Sequence, residues 1–120
     1  MQTRFNKWLS DALPKHKPKL VIAYNFNIAE TGTQYIVELI GSREYDADNE
    51  DWACREAWTS RPKTFKIAKK DCGDWQAALQ AVQDVVTEFM QSNQTLLHDA
   101  TAVCVGFVDG NLVRVWPTDT

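Results

Sequence analysis

The stretch 20–41, LVIAYNFNIAETGTQYIVELIG, decides the fold. From Leu20 to Ile28 the side chains of Leu20, Ile22, Tyr24, Phe26 and Ile28 alternate onto one face, and Asn25 and Asn27 onto the other. Successive strand residues point to opposite faces, so the pattern predicts a strand with one apolar face and a wet outer end. Glu30-Thr31-Gly32-Thr33 supplies turn chemistry, and Tyr35 to Ile40 is a second apolar, β-branched run ended by Gly41. Two such runs across a glycine-bearing turn predict an antiparallel hairpin.

Upstream, Phe5, Trp8, Leu9, Ala12 and Leu13 recur at three- and four-residue steps, which predicts a short amphipathic helix stopped near Pro14. The stretch from Pro14 to Lys19 is basic and proline-punctuated and reads as an exposed linker. Downstream, Thr64-Phe65-Lys66-Ile67 is a candidate third strand with Phe65 and Ile67 inward. Asp74 is a candidate N-cap for a helix running to about Gln91, with Trp75, Leu79, Val82, Val86, Phe89 and Met90 as one apolar stripe. A helical turn carrying Leu96 and Leu97 follows. Then Val103 to Val108 meets Leu112 to Trp116 across Asp109-Gly110-Asn111, a turn sequence that predicts a hairpin with a two- or three-residue loop. Strands and helices do not alternate regularly, so the expectation is one α+β domain over 1–120. It has an antiparallel sheet of about four to five strands packed against one long helix, with a short N-terminal helix.

The 120 residues, 44% hydrophobic and 24% charged, suffice for one core without a metal or disulfide staple. A net charge of −3 argues against nucleic acid as the main partner, because phosphate binding needs a basic footprint. Cys54, Cys72 and Cys104 are an odd number at long spacings, which fits free thiols in a reducing compartment. Charges interrupt every apolar group near the N-terminus, and no run approaches the ~20 apolar residues needed to cross a bilayer. The expectation is a cytoplasmic protein with no membrane partner.

The most unusual segment is Glu44 to Trp58, where six carboxylates face the single internal base Arg55. Three readings compete for it. In the plainest, the segment is a solvated loop in which Asp51 caps a short turn and Trp52 and Trp58 cover the edge of the core. In the second, Asp46, Asp48 and Glu50 follow the spacing of calcium ligands. The match fails because Asp51 or Trp52 stands where glycine must turn the chain, and Ala57 takes the bidentate position. No metal or cofactor is expected. In the third, the carboxylates steer a basic protein partner and an exposed tryptophan anchors it. The residues this reading selects are Asp46, Asp48, Glu50, Asp51, Trp52 and Trp58.

Catalysis has thin support. His16 and His98 are the only imidazoles, and neither sits in a motif. Cys104 reads as a small core residue, Cys54 and Cys72 as accessible, and no phosphate-binding glycine loop exists. Two basic clusters, Lys15-Lys17-Lys19 and Arg61-Lys63-Lys66-Lys69-Lys70, read as solvated faces or complements to the acidic segment. An alternative to partner binding is a small-ligand or enzymatic pocket at the polar end of the first hairpin, using Asn25, Asn27 and nearby carboxylates.

Tyr24-Asn25-Phe26-Asn27, Glu38-Leu39-Ile40-Gly41, Asp51-Trp52-Ala53-Cys54 and Gly106-Phe107-Val108-Asp109-Gly110 together resemble a group of small, largely uncharacterised bacterial proteins, from about Tyr24 to Trp116. The resemblance implies a bacterial, cytoplasmic setting and carries over no catalytic residue. Small acidic domains of this kind are often immunity proteins that neutralise a toxin, an analogy of composition alone. The leading expectation is therefore a non-enzymatic, immunity-like interaction module.

Overall fold

The computed structural model describes residues 1–118. Helix α1 spans Gln2–Ala12, and strands β1 (Ala23–Glu30) and β2 (Gln34–Ser42) form the hairpin that the alternating stretch predicts. A 3-10 turn at Glu50–Cys54 leads to β3 (Glu56–Thr59). Then come β4 (Phe65–Ala68), the single-turn helix α2 (Lys69–Cys72) and the long helix α3 (Trp75–Ser92). A second 3-10 turn at Leu96–Asp99 precedes the hairpin of β5 (Ala102–Phe107) and β6 (Val113–Trp116).

The architecture is α+β, but the sheet is mixed and has six strands, so the expectation of an antiparallel sheet of four to five is corrected. The order is β3-β2-β1-β5-β6, with β4 pairing the other half of β2. β1 and β5 run parallel, from Ala23 opposite Ala102 to Ile28 opposite Phe107. The length of α3 is the reason. Strand β4 is antiparallel to β2 and so shares the direction of β1. An 18-residue helix carries the chain about 27 Å back along the sheet, so β5 enters in that same direction.

One face of the sheet carries the main core. Tyr24, Phe26 and Ile28 of β1 lie beside Val37 and Leu39 of β2 and Val103 and Val105 of β5, all sealed beneath α1 and α3. Asp74 caps α3, its side chain accepting from the Ala77 N–H at 2.9 Å. The helix buries Ala78, Val82, Val85, Val86, Phe89 and Met90. Each large side chain in that row contributes roughly 1.5–3 kcal/mol of transfer free energy. β4 follows its expected alternation, with Phe65 and Ile67 buried and Lys66 exposed.

Four local expectations are corrected. β1 starts at Ala23, because Leu20 adopts a left-handed backbone (φ 64°) that breaks the alternation and leaves it 62% exposed. Trp75, assigned to the buried stripe, is 53% exposed, since the first residue of α3 precedes the point where the helix meets the sheet. The last hairpin uses the five residues 108–112 rather than two or three. Finally, the face of β1 bearing Asn25 and Asn27 is not wet at Asn25, which is fully buried.

Candidate functional site

Asn25 is buried because the acidic segment folds back over the second face of the sheet. Trp52 is 3% exposed and packs with Ala23, Ala102 and Cys104, with Tyr45, Ala53 and Leu112 around them. The ring of Tyr45 meets Trp52 nearly edge-on, with centroids 5.3 Å apart. The 3-10 turn that delivers Trp52 is capped by Asn49, whose Oδ1 accepts from the Asp51 N–H at 3.0 Å. Asn49, not Asp51, is thus the capping residue. Trp58 lies on the opposite face, half-buried against Tyr24 with centroids 6.4 Å apart. One tryptophan of the segment therefore pins each face of the sheet.

Where this covering stops, a recess of about 460 Å³ remains. Its wall from the acidic segment is Glu50, Asp51, Ala53, Cys54 and Glu56, and the sheet contributes Asn27 and Glu38. The turn after β5 closes the far side with Val108, Asp109, Gly110 and Leu112. Backbone geometry fastens that turn to the acidic segment, because the Leu112 N–H donates to the Glu50 carboxylate. Beside Asn27, the Asn25 side-chain Nδ2 donates to Asn27 Oδ1 at 2.9 Å, and Asn25 Oδ1 has no partner among the described residues. A buried acceptor left unpaired costs about 1–3 kcal/mol.

The electrostatics are one-sided. Glu38, Glu50, Asp51, Glu56 and Asp109 face the recess, and Arg61 is its one lining cation. Arg61 bridges Glu38 at 3.0 Å and also pairs with Glu56. The remaining carboxylates leave a negative field at the mouth, where low-dielectric walls strengthen attraction for a cation. They rim the space without converging: among the described residues no three His, Cys, Asp or Glu side chains are grouped to hold a metal ion.

On the α3 side of the same turn lies an apolar groove of about 600 Å³ lined by Glu30, Trp75, Leu79, Phe107, Asn111 and Val113, and Phe107, Asp109 and Gly110 border both spaces. Trp75 stands nearly perpendicular to Phe107 with centroids 6.3 Å apart, and Val108 beside it is 58% exposed. An aromatic with this exposure beside a charged rim has the composition of an interface anchor.

Of the six residues selected from sequence, the structure brings Glu50 and Asp51 into the recess. Asp46 and Asp48 sit on the adjoining exposed turn, where Asp46 Oδ1 accepts from the Asp48 N–H at 2.9 Å. Trp52 is removed from the surface by its burial, and Trp58 lies on the other face. Sequence reasoning did not select Glu38, Asp109 and Trp75; Glu56 it counted in the acidic segment without selecting it, and Arg61, read as a complement of that segment, does pair with Glu56. Glu38 carried a usable signal, a charge within an apolar strand opposite Asn27. The imidazole of His98 is absorbed structurally: Nδ1 accepts from the Thr95 N–H at 3.2 Å and Nε2 donates to the Met90 carbonyl at 2.9 Å. Among the described residues no helix is long and apolar enough to cross a membrane.

Comparisons with protein-family models, curated proteins and solved structures return no match.

Proposed function

We propose that this chain is a non-enzymatic binding module that receives a basic segment of a partner protein across the acidic recess, with Trp75 rather than Trp52 or Trp58 as its apolar anchor. The observation that carries the reading is the turn at Phe107–Gly110, which borders a carboxylate-rimmed recess on one side and the groove of an exposed tryptophan on the other. Carboxylates speed encounter and select charge, while burial of an aromatic supplies most of the free energy of a protein interface. The test is to capture partners from native extract with the wild-type chain and measure the affinity of the purified partner for two variants. Glu50→Lys with Asp51→Lys should weaken binding at least tenfold and flatten its salt dependence, and Trp75→Ala should weaken it similarly with the salt dependence intact. A partner held equally by all three proteins sinks the proposal.

Asn27 among the carboxylates that line the recess favours a second reading, a small polyamine-like or guanidinium ligand in the recess itself. Thermal stabilisation by such a compound, lost in Asn27→Ala and retained in Trp75→Ala, separates it from the first.

A further inference from the structure

A separate groove lies between α1 and the 62–66 segment, with a volume of about 790 Å³. Its apolar lining is Trp8, Pro62 and the buried Phe65, and its lining cations include Arg4, Lys7 and Lys63. Two of these are fixed in place by the backbone. Arg4 lies over the Phe65 ring, 4.9 Å from its centroid, and Nη1 donates to the Lys66 carbonyl at 3.4 Å. Lys63 Nζ donates across the groove to the Asp11 carbonyl at 2.9 Å. None of the three is in an ion pair; the salt bridges of the described residues use Arg55, Arg61 and Lys69 instead. Asp11 is the one carboxylate lining the groove, so cations are in excess here although the chain as a whole is acidic.

We propose that this groove is a second binding site, one that takes an extended acidic segment of a partner protein with interspersed apolar side chains. Arg4 and Lys7 are about 4.5 Å apart along the axis of α1, with Lys63 reaching from the opposite wall, so the charges spread along the groove rather than meeting at a point. Spread cations match successive carboxylates on a chain, and a lone phosphate would leave most of the volume unfilled. Half-buried Trp8 and exposed Pro62 take the intervening side chains. Single-stranded nucleic acid fits less well, because it needs an open aromatic face, and Phe65 is 4% exposed with Arg4 over its ring. Trp8 supplies a reporter: its indole N–H is buried without a partner among the described residues.

The site is independent of the acidic recess, and the experiment uses the full chain. The probe is a blocked peptide, Glu-Glu-Leu-Glu-Glu-Leu, titrated at low and physiological salt while amide and indole resonances are followed. Saturable shifts concentrated at the Trp8 indole and residues 62–66 are expected. Affinity should fall at least fivefold in Lys7→Glu with Lys63→Glu, and by less than twofold in Lys15→Glu with Lys17→Glu, which makes the same change in net charge in the exposed linker. The peptide with Gln for Glu should not bind. Equal losses in the two double variants would reduce the effect to net charge and overturn the proposal. So would tighter binding of an oligonucleotide of equal charge, or self-association of the chain alone that the Lys7/Lys63 variant abolishes.

Discussion

Gly106 lies directly beneath Leu112: a β-carbon on Gly106 would stand 2.6 Å from Leu112 Cδ2 and 2.9 Å from the Asn111 carbonyl oxygen. The side chain has some freedom to move, but the carbonyl belongs to the turn that closes the recess. Gly106→Ala must therefore push residues 111 and 112 off the sheet and loosen the Leu112 N–H from Glu50. A destabilisation of about 1–3 kcal/mol is expected from overpacking, read by chemical denaturation, together with a shift of the Leu112 amide resonance. Gly32→Ala, with nothing within 4 Å of the added methyl, should stay within about 0.5 kcal/mol of the parent.

Much of this layout was legible in the sequence. The alternation in the first hairpin, the row of apolar residues in α3 and the capping Asp74 are local signals, and local signals survive translation into structure. What sequence could not supply was the second layer. Asn25 looks solvent-facing because asparagine seldom belongs in a core, and only the return of Trp52 across Ala23 and Cys104 buries it. Strand β3 is four residues long and rides on an irregular register of β2 at Gly41 and Ser42, so its period is too short to detect. The site was half visible for the same reason. Glu50 and Asp51 announce themselves by density of charge, whereas Asp109 reaches the recess only because β5 pairs with β1.

Trp52 separates the structural from the electrostatic role of the acidic segment. Trp52→Ala should cost about 3–5 kcal/mol, because it empties the second core around Ala23, Ala102 and Cys104. Asp48→Lys, a charge reversal four residues earlier at an exposed position, should change stability by no more than about 0.5 kcal/mol. Urea unfolding of the two variants checks this. Similar losses would mean that the carboxylates, not the indole, hold the segment down.

Tyr24 is fully buried against Trp58, yet its hydroxyl has no hydrogen-bond partner among the described residues. Folding thus strips the hydroxyl of water without replacing the lost bond. Tyr24→Phe keeps the ring contact and removes the unpaired group, so it should raise stability by about 1 kcal/mol, measured as an increased denaturation midpoint at neutral pH. A decrease would show that the hydroxyl is satisfied in solution.

The same burial makes the fold labile in alkali. It pushes the Tyr24 hydroxyl from 10.0 up to about 12, with Asp99 adding to the effect. Burial also raises the Cys104 thiol from 9.0 to about 11, against a smaller lowering by Arg114. Above pH 9 the unfolded thiol, and above pH 10 the unfolded phenol, release protons that the folded chain retains. The folded state then binds more protons, so stability must fall as pH rises. The decline runs from about pH 9 to 11 for Cys104 and from about 10 to 12 for Tyr24, with neither contributing a slope below pH 8. Denaturation midpoints taken from pH 8 to 11.5 should fall less steeply between 9 and 11 in Cys104→Ala, and less steeply above 10 in Tyr24→Phe. Slopes unchanged in both variants would place the alkaline lability on other groups.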